Sequence, residues 1–192
     1  PLETPSGVWA IPSHEGLSAA EAEIRNRMGQ ELQVQRLLSP IVDDYDVVVI
    51  DTPPTLGLWL YNGLAASDVV LVPVQTEAPS VDGLSKLLGS IDEMRQYNIN
   101  PHCHVGGIIL TLYDGRRNID KRMAGLVREG LGEIVLDTVV PRDVRMAEFM
   151  ERGDTALLDG DSAGAEAYRA LAQEVADKWL RSANQPRSKQ SV

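Results

Sequence analysis

The stretch "DYDVVVIDTPP", residues 44–54, decides how the rest of the chain is read. Val47, Val48, Val49 and Ile50 form a β-branched run with no polar alternation, which predicts a strand buried on both faces, as in a parallel sheet. The run ends in Asp51, and a carboxylate at the end of such a strand is placed to face a metal ion. Thr52 is followed by Pro53 and Pro54, whose fixed φ predicts a rigid, extended exit. Many α/β strands end in an aspartate that only solvates the turn or caps the next helix, so Asp51 alone decides little. An acid that serves a nucleotide-bound metal also needs a phosphate-binding loop, G-x-x-x-x-G-K-[ST], whose N–H groups and lysine meet the phosphates. The chain has four lysines, Lys86, Lys121, Lys178 and Lys189, and none follows a glycine. The loop is therefore absent from these 192 residues.

Outward from this stretch the same pattern recurs. Asp68–Val74, Val105–Leu110 and Ile134–Val140 are further apolar runs, the last stopped by Pro141. Val8–Ile11 predicts a short strand stopped by Pro12. Between the runs, apolar residues recur at helical spacing: Leu84, Leu87, Leu88, Ile91 and Met94; Ile119, Met123, Leu126, Val127 and Leu131; Tyr168, Leu171, Ala172, Val175 and Trp179. Asp161 and Ser162 are capping candidates for the last helix. Leu17, Ala20, Ile24, Met28 and Leu32, with Leu37 and Leu38, predict one helix running to Pro40. Strands alternating with helices imply an α/β fold with a doubly wound, mainly parallel sheet and helices on both faces. Residues 1–181 are expected to form a single domain and 182–192 a polar tail.

Composition bounds the function. The chain is 43% hydrophobic and 24% charged, with a formal net charge of −10, which argues against a surface coated in basic charge. A local basic patch remains compatible, because salt screens charge beyond roughly 8 Å. One cysteine, Cys103, allows no internal disulfide and suits a reducing cytoplasm. No apolar run reaches the length of a membrane span. Residues 114–128 hold Arg116, Arg117, Lys121, Arg122 and Arg128 against Asp114 and Asp120, a local excess of cations suited to phosphates. His102-Cys103-His104 is read as the loop before a strand, since adjacent residues of an extended segment point to opposite faces. Trp9, Trp59 and Trp179 are isolated and read as packing residues.

Six segments together, in order, carry a resemblance: "YDVVVIDTPPTLGL" (45–58), "NGLAASDVVLVPVQTE" (62–77), "GLSKLL" (83–88), "GGIILTLYDGRRN" (106–118), "VVPRDVRMAE" (139–148) and "GAEAYRALAQEV" (164–175). From about Pro12 to Leu180 the chain resembles the ParA/Soj family of partitioning ATPases, relatives of MinD. The resemblance implies a P-loop NTPase-like fold, incomplete at the N-terminus. It also implies ATP or ADP with Mg²⁺ as cofactors, ATP-dependent dimerisation, DNA binding without sequence preference, and a ParB-type partner that stimulates hydrolysis. It implies a cytoplasmic, nucleoid-associated protein of chromosome or plasmid partitioning, with no membrane partner.

By the same resemblance Asp51 holds Mg²⁺ through water and Thr52, Pro53 and Pro54 form a switch segment. Thr111, Pro141 and Arg142 line the adenine pocket, and Arg116 and Arg145 contact DNA. Two departures stand out. The phosphate loop is expected before Pro1, and the stretch after "VRMAE" carries Asp154 where the family has a cation. The 192 residues alone are then expected to turn over no ATP. The alternative is a truncated, non-enzymatic module that binds DNA or a partner.

Overall fold

The computed structural model describes residues 1–4, 6–76, 81–152 and 162–180. They fall into two compact units: Pro1–Ser67 with Glu93–Pro101, and Asp68–Asp92 with His102–Val192. Asp154, Asp161 and the expected tail, 182–192, lie outside the described residues.

In the first unit, β1 (Leu2–Glu3) and β2 (Trp9–Ala10) pair as a short antiparallel ribbon. Three helices follow: α1 (Leu17–Ile24), α2 (Gln33–Leu38) and α3 (Leu58–Ala65). The single helix expected from Leu17 to Leu38 is broken. Asn26 and Gly29 adopt positive φ, 77° and 68°, which ends α1 and starts a 3₁₀ turn at Gln30–Leu32. A left-handed residue cannot continue an α-helix, and Asn and Gly adopt that conformation most readily. Met28, expected on the buried stripe, is 98% exposed.

The second unit is built on a three-stranded sheet in the order β3-β4-β5, with β3 (Val69–Gln75), β4 (His104–Tyr113) and β5 (Val135–Pro141) all parallel. Its helices are α4 (Val81–Gln96), as far as Asp92, α5 (Asn118–Leu131), α6 (Val144–Arg152) and α7 (Ala163–Val175). Val72, Ile108, Leu110 and Val135 are buried on one face, beneath Leu84 and Leu87 of α4 and Ala124, Val127 and Leu131 of α5. Ile109, Leu136 and Val140 are buried on the other, beneath Leu171 and Val175 of α7. Helices therefore cover both faces, as the unbroken apolar runs require. Each fully buried Leu or Ile contributes about 1.5–3 kcal/mol. Ser162 caps α7 as expected, its hydroxyl accepting the Ala165 N–H at 3.1 Å.

Both outer strands of a three-stranded sheet are edges, and the β5 edge is closed by side chains. The Glu174 carboxylate accepts the N–H groups of Asp137 (2.8 Å) and Thr138 (2.9 Å), and Arg128 donates to the Asp137 carbonyl at 3.2 Å. Burial pushes the Glu174 carboxyl upward, but bonds from the Thr138 N–H and hydroxyl, the Asp137 N–H and Lys178 outweigh it and leave it below its ordinary value. Capping backbone groups in this way blocks strand addition.

The run Val47–Ile50 is where the fold departs from expectation. It has no strand partner among the described residues, and Val47, Val48 and Val49 are 49%, 41% and 88% exposed. A strand exists only through its neighbours, since its N–H and C=O groups need partners on each side. The sheet described here contains none that pairs with this segment.

Candidate functional site

Asp51 stands exposed in the first unit, followed by half-buried Thr52 and exposed Pro53. What fixes their position is α3. A Cβ on Gly63 would lie 2.5 Å from Thr52 Cγ2 and 3.8 Å from Ile50 Cγ2, so only glycine lets the segment 50–52 pack against the helix. Gly63→Ala should therefore destabilise the first unit by about 1–3 kcal/mol, the usual penalty of overpacking, against a gain of about 1 kcal/mol in helix propensity. Urea unfolding of both proteins measures the balance, and an alanine variant more stable than wild type would contradict the packing.

Asn62 holds α3 in turn. Its side chain is fully buried. Its oxygen accepts the N–H groups of Gln33 (2.8 Å) and Val34 (3.1 Å), the open first turn of α2. Its NH₂ donates to the carbonyls of Gln30 and Leu58, both at 2.9 Å. At the other end of α3, Asn100 donates to the carbonyls of Leu64, Ala65 and Ser67, where the helix runs out of its own N–H donors. Nothing in the local sequence announces either asparagine, because their partners lie about thirty residues away.

In the second unit, Thr111, Pro141 and Arg142 come together at the carboxyl ends of β4 and β5. Gln75 is in register with Thr111, and Tyr113 with Pro141. The Arg142 N–H donates to the Tyr113 carbonyl at 3.0 Å, and the Thr76 N–H donates to the Thr111 carbonyl at 3.3 Å. Two features mark this rim. Leu112 has φ +54°, an uncommon conformation for a non-glycine residue and a source of backbone strain, which tends to collect at functional sites. Thr76, 2% exposed, has a buried hydroxyl with no hydrogen-bond partner among the described residues. Sequence reasoning missed Thr76 and Leu112, since neither strain nor an orphaned hydroxyl leaves a mark in residue order.

Arg116 sits in the turn after β4 and is 92% exposed. Its Nε and Nη2 each lie 3.1 Å from one Asp114 oxygen, and its N–H donates to Asp114 at 2.9 Å. The Arg116 side-chain and backbone bonds hold the Asp114 carboxyl down to about 2. Asp120 is fully buried; it accepts the Asp114 N–H at 2.8 Å and lies 3.8 Å from Arg117 Nε. The cation excess expected over 114–128 is thus offset at its start by two close carboxylates. Arg145 is exposed on α6. Asp143, just before that helix, accepts the N–H groups of Arg145 (3.0 Å) and Gly164 (2.9 Å), joining the starts of α6 and α7. The Gly164 bond is the largest of the influences that hold the Asp143 carboxyl below its ordinary value. A Cβ on Gly164 would lie 2.7 Å from Met146 Cγ, so any larger residue there must displace the Met146 side chain.

Oxygen donors suit Mg²⁺, which keeps several waters and binds one or two carboxylates together with phosphates. An exposed Asp51 fits that metal. The orphaned Thr76 hydroxyl at the sheet rim fits a polar ligand there. No glycine-lysine phosphate cradle is present in the sequence.

The comparisons with known proteins agree with this architecture. The family model described as an AAA domain matches residues 3–105. The chain is 39% identical over 166 residues to the chromosome partitioning protein ParA of Myxococcus xanthus, covering 86% of this chain and 58% of that protein. It is 38% identical over 167 residues to the sporulation initiation inhibitor protein Soj of Bacillus subtilis, covering 86% and 66%. Among solved structures it is similar to cobyrinic acid a,c-diamide synthase from Mycobacterium smegmatis, a structure with bound ADP and magnesium. The identity is 32% and the TM-score 0.74, with 90% of this chain and 63% of that one covered. The chain spans between about half and two thirds of the length of such curated relatives, from 53% to 66%. With these similarities added to the parallel sheet and its helices, the chain belongs to the ParA/Soj family of partitioning ATPases.

Proposed function

We propose that this chain is the part of a chromosome- or plasmid-partitioning ATPase that carries the metal-side acid, the adenine-facing rim and the DNA-facing arginines. The observation that carries the reading is the convergence of Thr111, Pro141 and Arg142 at the carboxyl end of the sheet, beside strained Leu112. Ligands of open α/β sheets bind at that end. When bound, Mg²⁺-ATP supplies the phosphoryl chemistry; Asp51 would hold the metal through water, and Thr52-Pro53 would fix the acid's position. In the full-length protein, ATP drives dimerisation and binding to nucleoid DNA, and a ParB-type partner stimulates hydrolysis. No helix among the described residues is long and apolar enough to cross a membrane.

Arg116 and Arg145 supply the sequence-independent contact with DNA phosphates. Alanine at both positions should weaken binding equally on unrelated duplexes and reduce the salt slope by about 0.9 for each phosphate no longer neutralised. Fluorescence anisotropy across a salt series measures this, and unchanged affinity and slope would remove DNA from the reading.

A second reading is a non-enzymatic DNA- or partner-binding module. The reading frame upstream of Pro1 separates the two. A Gly-Lys-Gly-Gly-Val-Gly-Lys-Thr-like loop there supports the ATPase, and a start codon just before Pro1 supports the module.

A further inference from the structure

The turn between β4 and α5 holds its arginines against its own acids. Over residues 114–120, Arg116 and Arg117 face Asp114 and Asp120, so the local formal charge is zero. Arg116 uses one whole edge of its guanidinium, Nε and Nη2, on the two Asp114 oxygens, each at 3.1 Å. An arginine grips a phosphate bidentately through an edge of this kind. The Asp114 carboxylate stays ionised at any physiological pH, since its pKa is held at about 2. It is also fixed in place: its own N–H is held by the buried Asp120 carboxylate at 2.8 Å.

We propose that the Asp114–Arg116 fork is an ionic latch, a paired state of the DNA-facing arginine that a phosphate must displace before the turn contributes to binding. The proposal rests on the DNA reading above and adds its regulation. Arg116 is 92% exposed, and exposed ion pairs are weak enough to exchange partners in water. DNA, with its dense row of phosphates, is a stronger competitor than a single small anion. In the latched state Asp114 cancels the charge that would release a counterion. Affinity and salt slope are both lower than the exposed arginine suggests.

The test is Asp114→Asn. The amide oxygen can still accept the Arg116 N–H that closes the turn, now 2.9 Å from Asp114 Oδ1, but it lacks the charge that holds the fork. Wild type, D114N, R116A and D114N/R116A, all in the full-length protein, are titrated with two unrelated DNA duplexes over a salt series. The latch predicts about two- to fivefold tighter binding by D114N on both duplexes, with a slope steeper by the part of about 0.9 that wild-type Arg116 does not already supply. It also predicts that the gain vanishes in D114N/R116A. Equal or weaker binding by D114N, while R116A still weakens binding, would overturn the latch and leave the DNA reading standing. If neither R116A nor D114N alters binding, the DNA role of this turn falls and the latch with it. Should D114N fail to fold, Asp114→Ser, whose hydroxyl can close the same turn, carries the same prediction.

Discussion

Replacing Asn62 by leucine should cost the first unit about 3 kcal/mol, a large share of the 5–15 kcal/mol that holds a typical domain together. The side chain uses its full hydrogen-bonding capacity, two bonds accepted and two donated, at a site with no exposed surface. Leucine is similar in size, so no large cavity offsets or inflates the comparison. What it removes is the acceptor for the Gln33 and Val34 N–H groups and the donor for the Gln30 and Leu58 carbonyls. Each such group left without a partner costs about 1–3 kcal/mol, and two unpaired donors at a helix start set the lower bound. Asn62→Asp separates the two halves of the clasp, since a carboxylate still accepts from α2 but repels the two carbonyls. Urea unfolding followed by circular dichroism reads both variants. A leucine variant within about 0.5 kcal/mol of wild type, the range of an ordinary surface substitution, would show that the clasp is not a principal support. The functional consequence follows through Gly63, the next residue: α3 is the wall against which Thr52 packs, and Thr52 adjoins the acid.

Most of the second unit was legible from residue order. β3, β4 and β5 are continuous apolar runs, α4, α5 and α7 are periodic stripes, and Ser162 stands where the cap was expected. These signals are local, and the fold keeps them because burial on both faces of the sheet rewards them. The first unit was less legible for the same reason in reverse. Val47–Ile50 has the composition of a buried strand, but composition cannot supply the neighbour that makes a strand. The helix from Leu17 kept its apolar spacing past Asn26, while the backbone turned left-handed there and at Gly29. The periodic stripes gave no sign of α6, although it brings Arg145 to an exposed face.

At the candidate site, residue types were readable and their partners were not. Arg116 was identified as a cation, but the carboxylate two residues earlier that occupies it became evident only in the fold. The strain at Leu112 and the orphaned hydroxyl of Thr76 depend on register between strands, which residue order does not state.

The central claim is that Asp51 is the metal-side acid of a nucleotide site. The decisive measurement is the initial rate of magnesium-dependent ATP hydrolysis by the protein read from its whole frame, wild type against Asp51→Ala. A carboxylate that reaches Mg²⁺ through water acts from the outer shell of ligands, where removal typically costs 10–100-fold in metal affinity or activity. At limiting magnesium the alanine variant should therefore lose about 10–100-fold in rate, and added magnesium should restore part of it. The 192-residue chain alone serves as the control and should turn over no ATP. An alanine variant that hydrolyses ATP at the wild-type rate, with the wild-type magnesium dependence, would contradict the account.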